Sequence, residues 1–187
     1  MVIWITGISG VGKTTLSDAL ARRFKPVIPE LIQIDGDEIR ALFGASLDYA
    51  EPDRYKQIQR IQRLAHLLDK QGMVVLVAAL YGHPDLFKWN RENFSDYFEA
   101  YIEAPLELVQ RRDSKSLYKK AAAGEMPNVV GIDIPWNAPQ NPHLKLDATA
   151  EEDPDRLALE VARRIPYLAR HLDGADELQA IAQAQTP

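Results

Sequence analysis

Gly7-Ile8-Ser9-Gly10-Val11-Gly12-Lys13-Thr14 matches the pattern G-x-x-x-x-G-K-[ST] at every fixed position. Its flanks are those the pattern requires. Val2-Ile3-Trp4-Ile5 is a short apolar run that reads as a buried strand, and Thr15 to Phe24 places Leu16, Leu20 and Phe24 on one helical face. Strand, glycine-rich turn and helix together predict a phosphate-binding loop, and with it a bound nucleoside triphosphate. Glycines let successive N–H groups converge on phosphate oxygens without a Cβ in the way, and the helix N-terminus adds partial positive charge and unpaired donors. Gly7, Ser9, Gly10, Gly12 and Thr15 are expected around the phosphates. Lys13 is expected to reach the β- and γ-phosphates, and the Thr14 hydroxyl to ligate Mg²⁺.

Beyond this loop, strand-like and helix-like stretches alternate, which predicts an α/β fold with a parallel sheet. Leu31 to Ile34 reads as a second strand, and Pro52 to Lys70 as a long amphipathic helix on Tyr55, Ile58, Ile61, Leu64 and Leu67-Leu68. Met73 to Leu80 is a continuous apolar run, expected as the central strand, buried on both faces. A helix from about Asp85 to Asn93, a strand Tyr97 to Ile102 and a helix opened by Pro105 follow. The Lys-, Gly- and Pro-rich stretch from Ser114 to about Gln140 reads as a mobile cover rather than core. Leu144 to Asp147 is a last short strand. Glu151 to Leu172 reads as one amphipathic helix stopped at Asp173-Gly174, and Ala175 to Pro187 as at best a weakly held helix.

The chain has 187 residues, a net charge of −5 and no cysteine. Its length suits one domain. The negative balance argues against nucleic acid held by bulk electrostatics, and the missing cysteines exclude disulfides and thiolate metal sites. With no apolar run of membrane-spanning length and a strand at the very start, a soluble cytoplasmic enzyme without a membrane partner is expected.

In such sheets ligands bind beyond the carboxyl ends of the strands. Asp35 and Asp37 follow the second strand, with Arg40 a turn later. A carboxylate there can accept the proton of an attacking hydroxyl or hold Mg²⁺, and Arg40 can grip an acidic substrate; the same spelling also fits a turn with a helix cap. Lys115, Lys119 and Lys120 either close over phosphate or form a solvated basic face. His83 follows the central strand and is a candidate for substrate contact, whereas His66, His143 and His171 read as structural or surface residues.

Several further runs carry a resemblance: Ile34-Asp35-Gly36-Asp37 with Arg40, Asp53-Arg54, Ala104-Pro105-Leu106-Glu107, and above all Arg112 to Ala121, followed by Ala123-Gly124-Glu125, Gly131-Ile132-Asp133 and Asn141-Pro142. From Ile3 to about Asp147 the chain resembles the adenylyl-sulfate kinase family, which transfers a phosphoryl group from ATP to the 3′-hydroxyl of adenylyl sulfate. The resemblance implies a P-loop kinase fold, and with the helical pattern beyond Asp147 the chain reads as a single such domain over 1–187. Its three α/β/α layers would enclose a parallel five-stranded sheet, with a lid at about 114–140 and a helical extension at about 151–187. It implies Asp37 as candidate base at the substrate hydroxyl, Asp35 near Mg²⁺, and Arg40 and Arg54 on the acidic groups of a small nucleotide substrate. Arg112 would lie against the ATP adenine, and Lys119 and Lys120 would belong to the lid. Family members are commonly homodimers.

The departures fall on the substrate side. The family's Ser-Pro-Tyr-Arg is Tyr81-Gly82-His83-Pro84 here, its Asn is Gln57, and the two Phe residues of its adenine clamp correspond to Tyr49 and Val129. Loss of one stacking face, worth about 1–3 kcal/mol per base, keeps open a sibling kinase acting on another nucleotide conjugate such as cytidine diphosphoramidate. A non-catalytic nucleotide-binding regulatory module and a plain nucleoside monophosphate kinase are the remaining alternatives.

Overall fold

Five strands, Val2–Thr6 (β1), Leu31–Asp35 (β2), Val74–Ala79 (β3), Tyr97–Glu103 (β4) and Leu144–Asp147 (β5), pair in parallel in the order β2-β3-β1-β4-β5. In this computed structural model residues 1–113, 116–149 and 153–184 are described. β1 is buried along its whole length, and its side chains alternate between two cores. Ile3 and Ile5 enter the core shared with the helix Lys13–Phe24 (α1), while Val2 and Trp4 enter the one shared with Glu51–Lys70 (α3) and Pro84–Asn93 (α4). The period of two thus feeds helices on both faces of the sheet.

In α1, Leu16, Leu20 and Phe24 are all buried. Their burial is worth roughly 5–9 kcal/mol together, against propensity differences below about 1 kcal/mol per residue, so packing on the sheet decides this helix. Between β2 and α3 the chain forms a short helix, Gly36–Leu42 (α2), and a single 3-10 turn. Helices Leu106–Arg112 (α5) and Leu117–Ala122 (α6) follow β4. Among the described residues no helix is long and apolar enough to cross a membrane.

Two sequence expectations need correction. The single helix expected over Glu151 to Leu172 is two, Pro154–Arg164 (α7) and Pro166–Ala169 (α8), and a third, Leu172–Ala184 (α9), begins where it was expected to end. Pro166 has no N–H to donate and disfavours helix in the residue before it; Ile165 is accordingly extended (φ −107°, ψ 107°). Gly174, expected to stop a helix, lies inside α9, whose Ala175 is buried and whose Asp176 pairs with Arg23 of α1. Glu151 and residues 185–187 lie outside the described residues.

The presumed cover is also more than cover. Tyr118, Val129, Val130 and Ile134 are buried and belong to the two cores. Composition alone hid these apolar anchors among Lys, Gly and Pro. Ser114 and Lys115 lie outside the described residues.

Candidate active site

The loop joining β1 to α1 curls as its glycines require. Gly7 has φ +155°, and a Cβ there would meet the carbonyl oxygen of Ile102 at 2.6 Å and Val11 Cγ1 at 2.8 Å. Gly12, at φ +105°, delivers the chain into α1. Lys13 Nζ donates to the carbonyl of Ile8 at 2.9 Å, so the ammonium is folded over the loop it serves. A cleft of about 190 Å³ is lined by Ser9, Gly10, Gly12, Lys13, Thr14 and Thr15 on one side, and by Asp35, Gly36 and Asp37 on the other. Thr14 Oγ1 donates to Asp35 Oδ2 at 2.7 Å. Asp35 also caps α2, accepting from the N–H of Asp37 at 2.8 Å. The helix-cap reading and the reading as a group facing the phosphate loop therefore describe the same carboxylate.

The residues present fit a magnesium ion. Thr14 and Asp35 offer hard oxygen donors, and among the described residues no group of three or more His, Asp or Glu could hold a metal alone. An ion that keeps several waters and takes its remaining ligands from substrate phosphates needs no more than this.

Two further cavities adjoin the cleft. One, of about 490 Å³, shares Gly12 and Thr15 with it and is walled by Arg112, Leu146, Asp147 and Ala148. Arg112 Nη2 donates to the carbonyl of Ala148 at 3.0 Å, which lays the guanidinium along this wall. The other, of about 280 Å³, shares Ser9, Gly36, Asp37 and Leu80 with the cleft. Arg40, Tyr49, Arg54, Gln57, Tyr81 and Val129 line it. Each of the two cavities thus shares wall residues with the cleft, and Asp37 lines both the cleft and the 280 Å³ cavity.

Tyr49 is half exposed, and the guanidinium carbons of Arg40 and Arg54 lie 4.6 and 5.2 Å from its ring centroid. Arg40 donates to the carbonyls of Leu47 and Asp48, and Arg54 to those of Tyr49 and Asn128. Burial, and then Arg40, pull Arg54 below the usual guanidinium range. Gln57 Oε1 accepts from Arg60. Tyr81 donates its phenol proton to Glu51 Oε1 at 2.9 Å, and burial together with this carboxylate pushes its pKa up to about 12. Gly82 admits the loop packed above it: a Cβ there would meet the carbonyl of Asn137 at 2.6 Å and the Phe87 ring at 2.8 Å.

Not every candidate joins this constellation. His83 caps α4 through Nδ1, which accepts from Asp85 N, and stands edge-on to Tyr55. It is not among the residues lining the three spaces, and neither are Lys119 and Lys120 of α6. Sequence reasoning missed Tyr118, whose hydroxyl donates to the carbonyl of Ser9 at 2.9 Å across 109 residues of chain. Burial pushes its pKa up to about 12. An aromatic inside a basic run was the available signal. Asp113 was missed too: its carboxylate accepts from the N–H groups of Tyr118 and Lys119 at the start of α6.

Comparison with known proteins gives the family. The family model described as adenylylsulphate kinase matches residues 1–147. An adenylyl-sulfate kinase of Picosynechococcus sp. is 40% identical over 152 residues, covering 81% of this chain and 86% of its own. The bifunctional enzyme NodQ of Rhizobium sp. is 37% identical over 172 residues, 91% of this chain but 26% of that much longer one. Among solved structures, the Mycobacterium tuberculosis APS kinase CysC in complex with AMPPNP and APS superposes with a TM-score of 0.79 at 33% identity, covering 87% of this chain and 95% of that one. With the family model matched over residues 1–147 and a relative 40% identical over 81% of this chain, the chain belongs to the adenylylsulphate kinase family.

Proposed function

We propose that the chain transfers the γ-phosphoryl group of ATP to the 3′-hydroxyl of adenylyl sulfate. The observation that carries this reading is the position of Asp37, which lines both the phosphate cleft and the adjoining cavity. In the proposed reaction the hydroxyl oxygen bonds to the γ-phosphorus as the bond to the bridging oxygen breaks. ADP leaves with that electron pair, and the hydroxyl proton passes to the Asp37 carboxylate. Lys13 and the loop N–H groups of Gly7 to Thr15 hold the phosphates, and Arg112 lies along the donor base. Arg40 and Arg54 set positive charge beside the acidic groups of the acceptor, and Tyr49, Gln57, Tyr81 and Val129 shape its cavity. Thr14 and Asp35 would hold a magnesium ion, which when bound would neutralise charge on the phosphates. His83, Lys119 and Lys120 stand outside the cavity walls and have no part in this reading. The same reading includes a cytoplasmic homodimer, which the resemblance implies and sedimentation of the purified chain tests.

One observation favours a second acceptor. Val129, aliphatic and 1% exposed, lines the same cavity as Tyr49, and the resemblance matches these two to the paired Phe residues of the family's adenine clamp. A base held on one aromatic face only would suit another nucleotide conjugate, such as cytidine diphosphoramidate. A coupled assay of ADP release across adenylyl sulfate, cytidine diphosphoramidate, AMP and CMP separates the readings. Turnover with adenylyl sulfate is expected. Activity confined to the cytidine conjugate would overturn the first reading, and activity on plain AMP or CMP would point to a monophosphate kinase.

A further inference from the structure

Arg54 is a buried cation, 8% exposed, in the first turn of α3. Its hydrogen bonds run to main chain. Nε donates to the carbonyl of Tyr49 at 2.8 Å, and Nη2 to the carbonyl of Asn128 at 2.6 Å, 74 residues further along. The segment it reaches is already folded tightly. Asn128 takes a left-handed conformation, φ +65°. The Asp133 carboxylate accepts the N–H groups of Asn128 and Val129, and Gly131 N donates to the carbonyl of Ile134. On the other side, Arg40 fixes the carbonyls of Leu47 and Asp48. A planar fork with donors in fixed directions suits such bridging, and a single ammonium does not.

We propose that Arg54 is a positioning residue that ties the loop 126–134, one wall of the acceptor cavity, to the loop 47–50, the wall that carries Tyr49. The separation of Tyr49 and Val129, and so the thickness of base the cavity accepts, is then set by this bridge as well as by the two side chains. The proposal rests on the reading above for the identity of the acceptor, but not for the bridge itself.

The test is amide hydrogen exchange at Asn128 and Val129 in the ligand-free protein, comparing the natural chain with Arg54→Lys and Arg54→Met. Both variants are expected to exchange there at least about tenfold faster, while the amide of Leu16 in α1 reports an intact fold. In turnover assays both should raise the acceptor KM more than they lower kcat, with the KM for ATP unchanged. Asp133→Asn should speed the same amides, and its effect on acceptor KM should combine with that of Arg54→Met to less than the product of the two. Unchanged exchange at Asn128 and Val129 in both Arg54 variants would overturn the bridge. So would natural exchange and natural acceptor KM in Arg54→Lys, because charge alone would then suffice. Were the natural chain to turn over no adenylyl sulfate, the functional reading would fall while the exchange data still decided the bridge.

Discussion

Lys13 and Asp37 face each other across one cleft, and their replacement should be told apart by what survives. Lys13→Ala removes a cation that compensates charge on the phosphates, and kcat should fall by about 10²–10³-fold or more. Asp37→Asn keeps the shape of the cleft but removes the carboxylate proposed to take the proton. A loss of about 10²–10⁴-fold in kcat is expected, with ATP affinity by calorimetry within a few-fold of the natural chain. Full activity of Asp37→Asn would remove it from the chemistry. The placing of both residues on this cleft was legible in the sequence, because the phosphate loop has fixed spacing and Asp37 follows a strand end. The direction of Arg54 was not legible: its partners are carbonyls of residues 49 and 128, and a main-chain oxygen has no sequence signature.

Among the elements, the C-terminal helices show how local signals compete. The apolar spacing of Leu157, Val161, Ile165 and Leu168 runs through Pro166 as if one helix continued, and that periodicity masked the break. Gly174 was misread the other way, because glycine favours helix ends, whereas packing of α9 on α1 carries the helix past it. A Cβ at Gly174 would meet Val27 Cγ1 at an ordinary 3.7 Å, with no conformational strain. Gly174→Ala should therefore stabilise the chain by about 0.5–1 kcal/mol, read as a higher denaturant midpoint. A lower midpoint would mean that α9 does not hold this residue in helix. The strands were easier to read, since β1 and β3 are buried on both faces and spell unbroken apolar runs.

Across the molecule, a buried polar chain joins α3, α4 and β4 on the side of the sheet that holds Trp4. Gln62 donates to Asn90, Asn90 to the Tyr97 hydroxyl, and Tyr97 to Glu99, which also takes a hydrogen bond from Arg91. Burial raises the Glu99 pKa above its usual 4.5, against the lowering pull of Tyr97 and Arg91. The folded state thus holds this proton more tightly than the unfolded chain. The resulting stabilisation is complete below pH 4.5 and is lost as pH rises through the raised value. Thermal melts of Glu99→Gln and the natural chain between pH 4 and 8 should show the natural chain losing ground to the variant as pH rises. A difference independent of pH would sink this account. The two cores follow from patterning along the chain, but the sheet order does not: β1, and not the β3 run expected as the central strand, holds the middle place. This network does not follow from it either, because Glu99 and Arg91 look like surface charges until β4 is placed at the interior of the sheet.

The walls shared between the phosphate cleft and its neighbours carry a thermodynamic obligation. Ser9 and Asp37 belong to two spaces at once, as do Gly12 and Thr15. A triphosphate that settles these residues alters the free energy of whatever enters next door. By reciprocity the acceptor then changes the affinity for the triphosphate by the same factor. Two substrates that meet over such common residues are coupled ligands rather than independent guests, and the affinity measured for either one is a property of the pair.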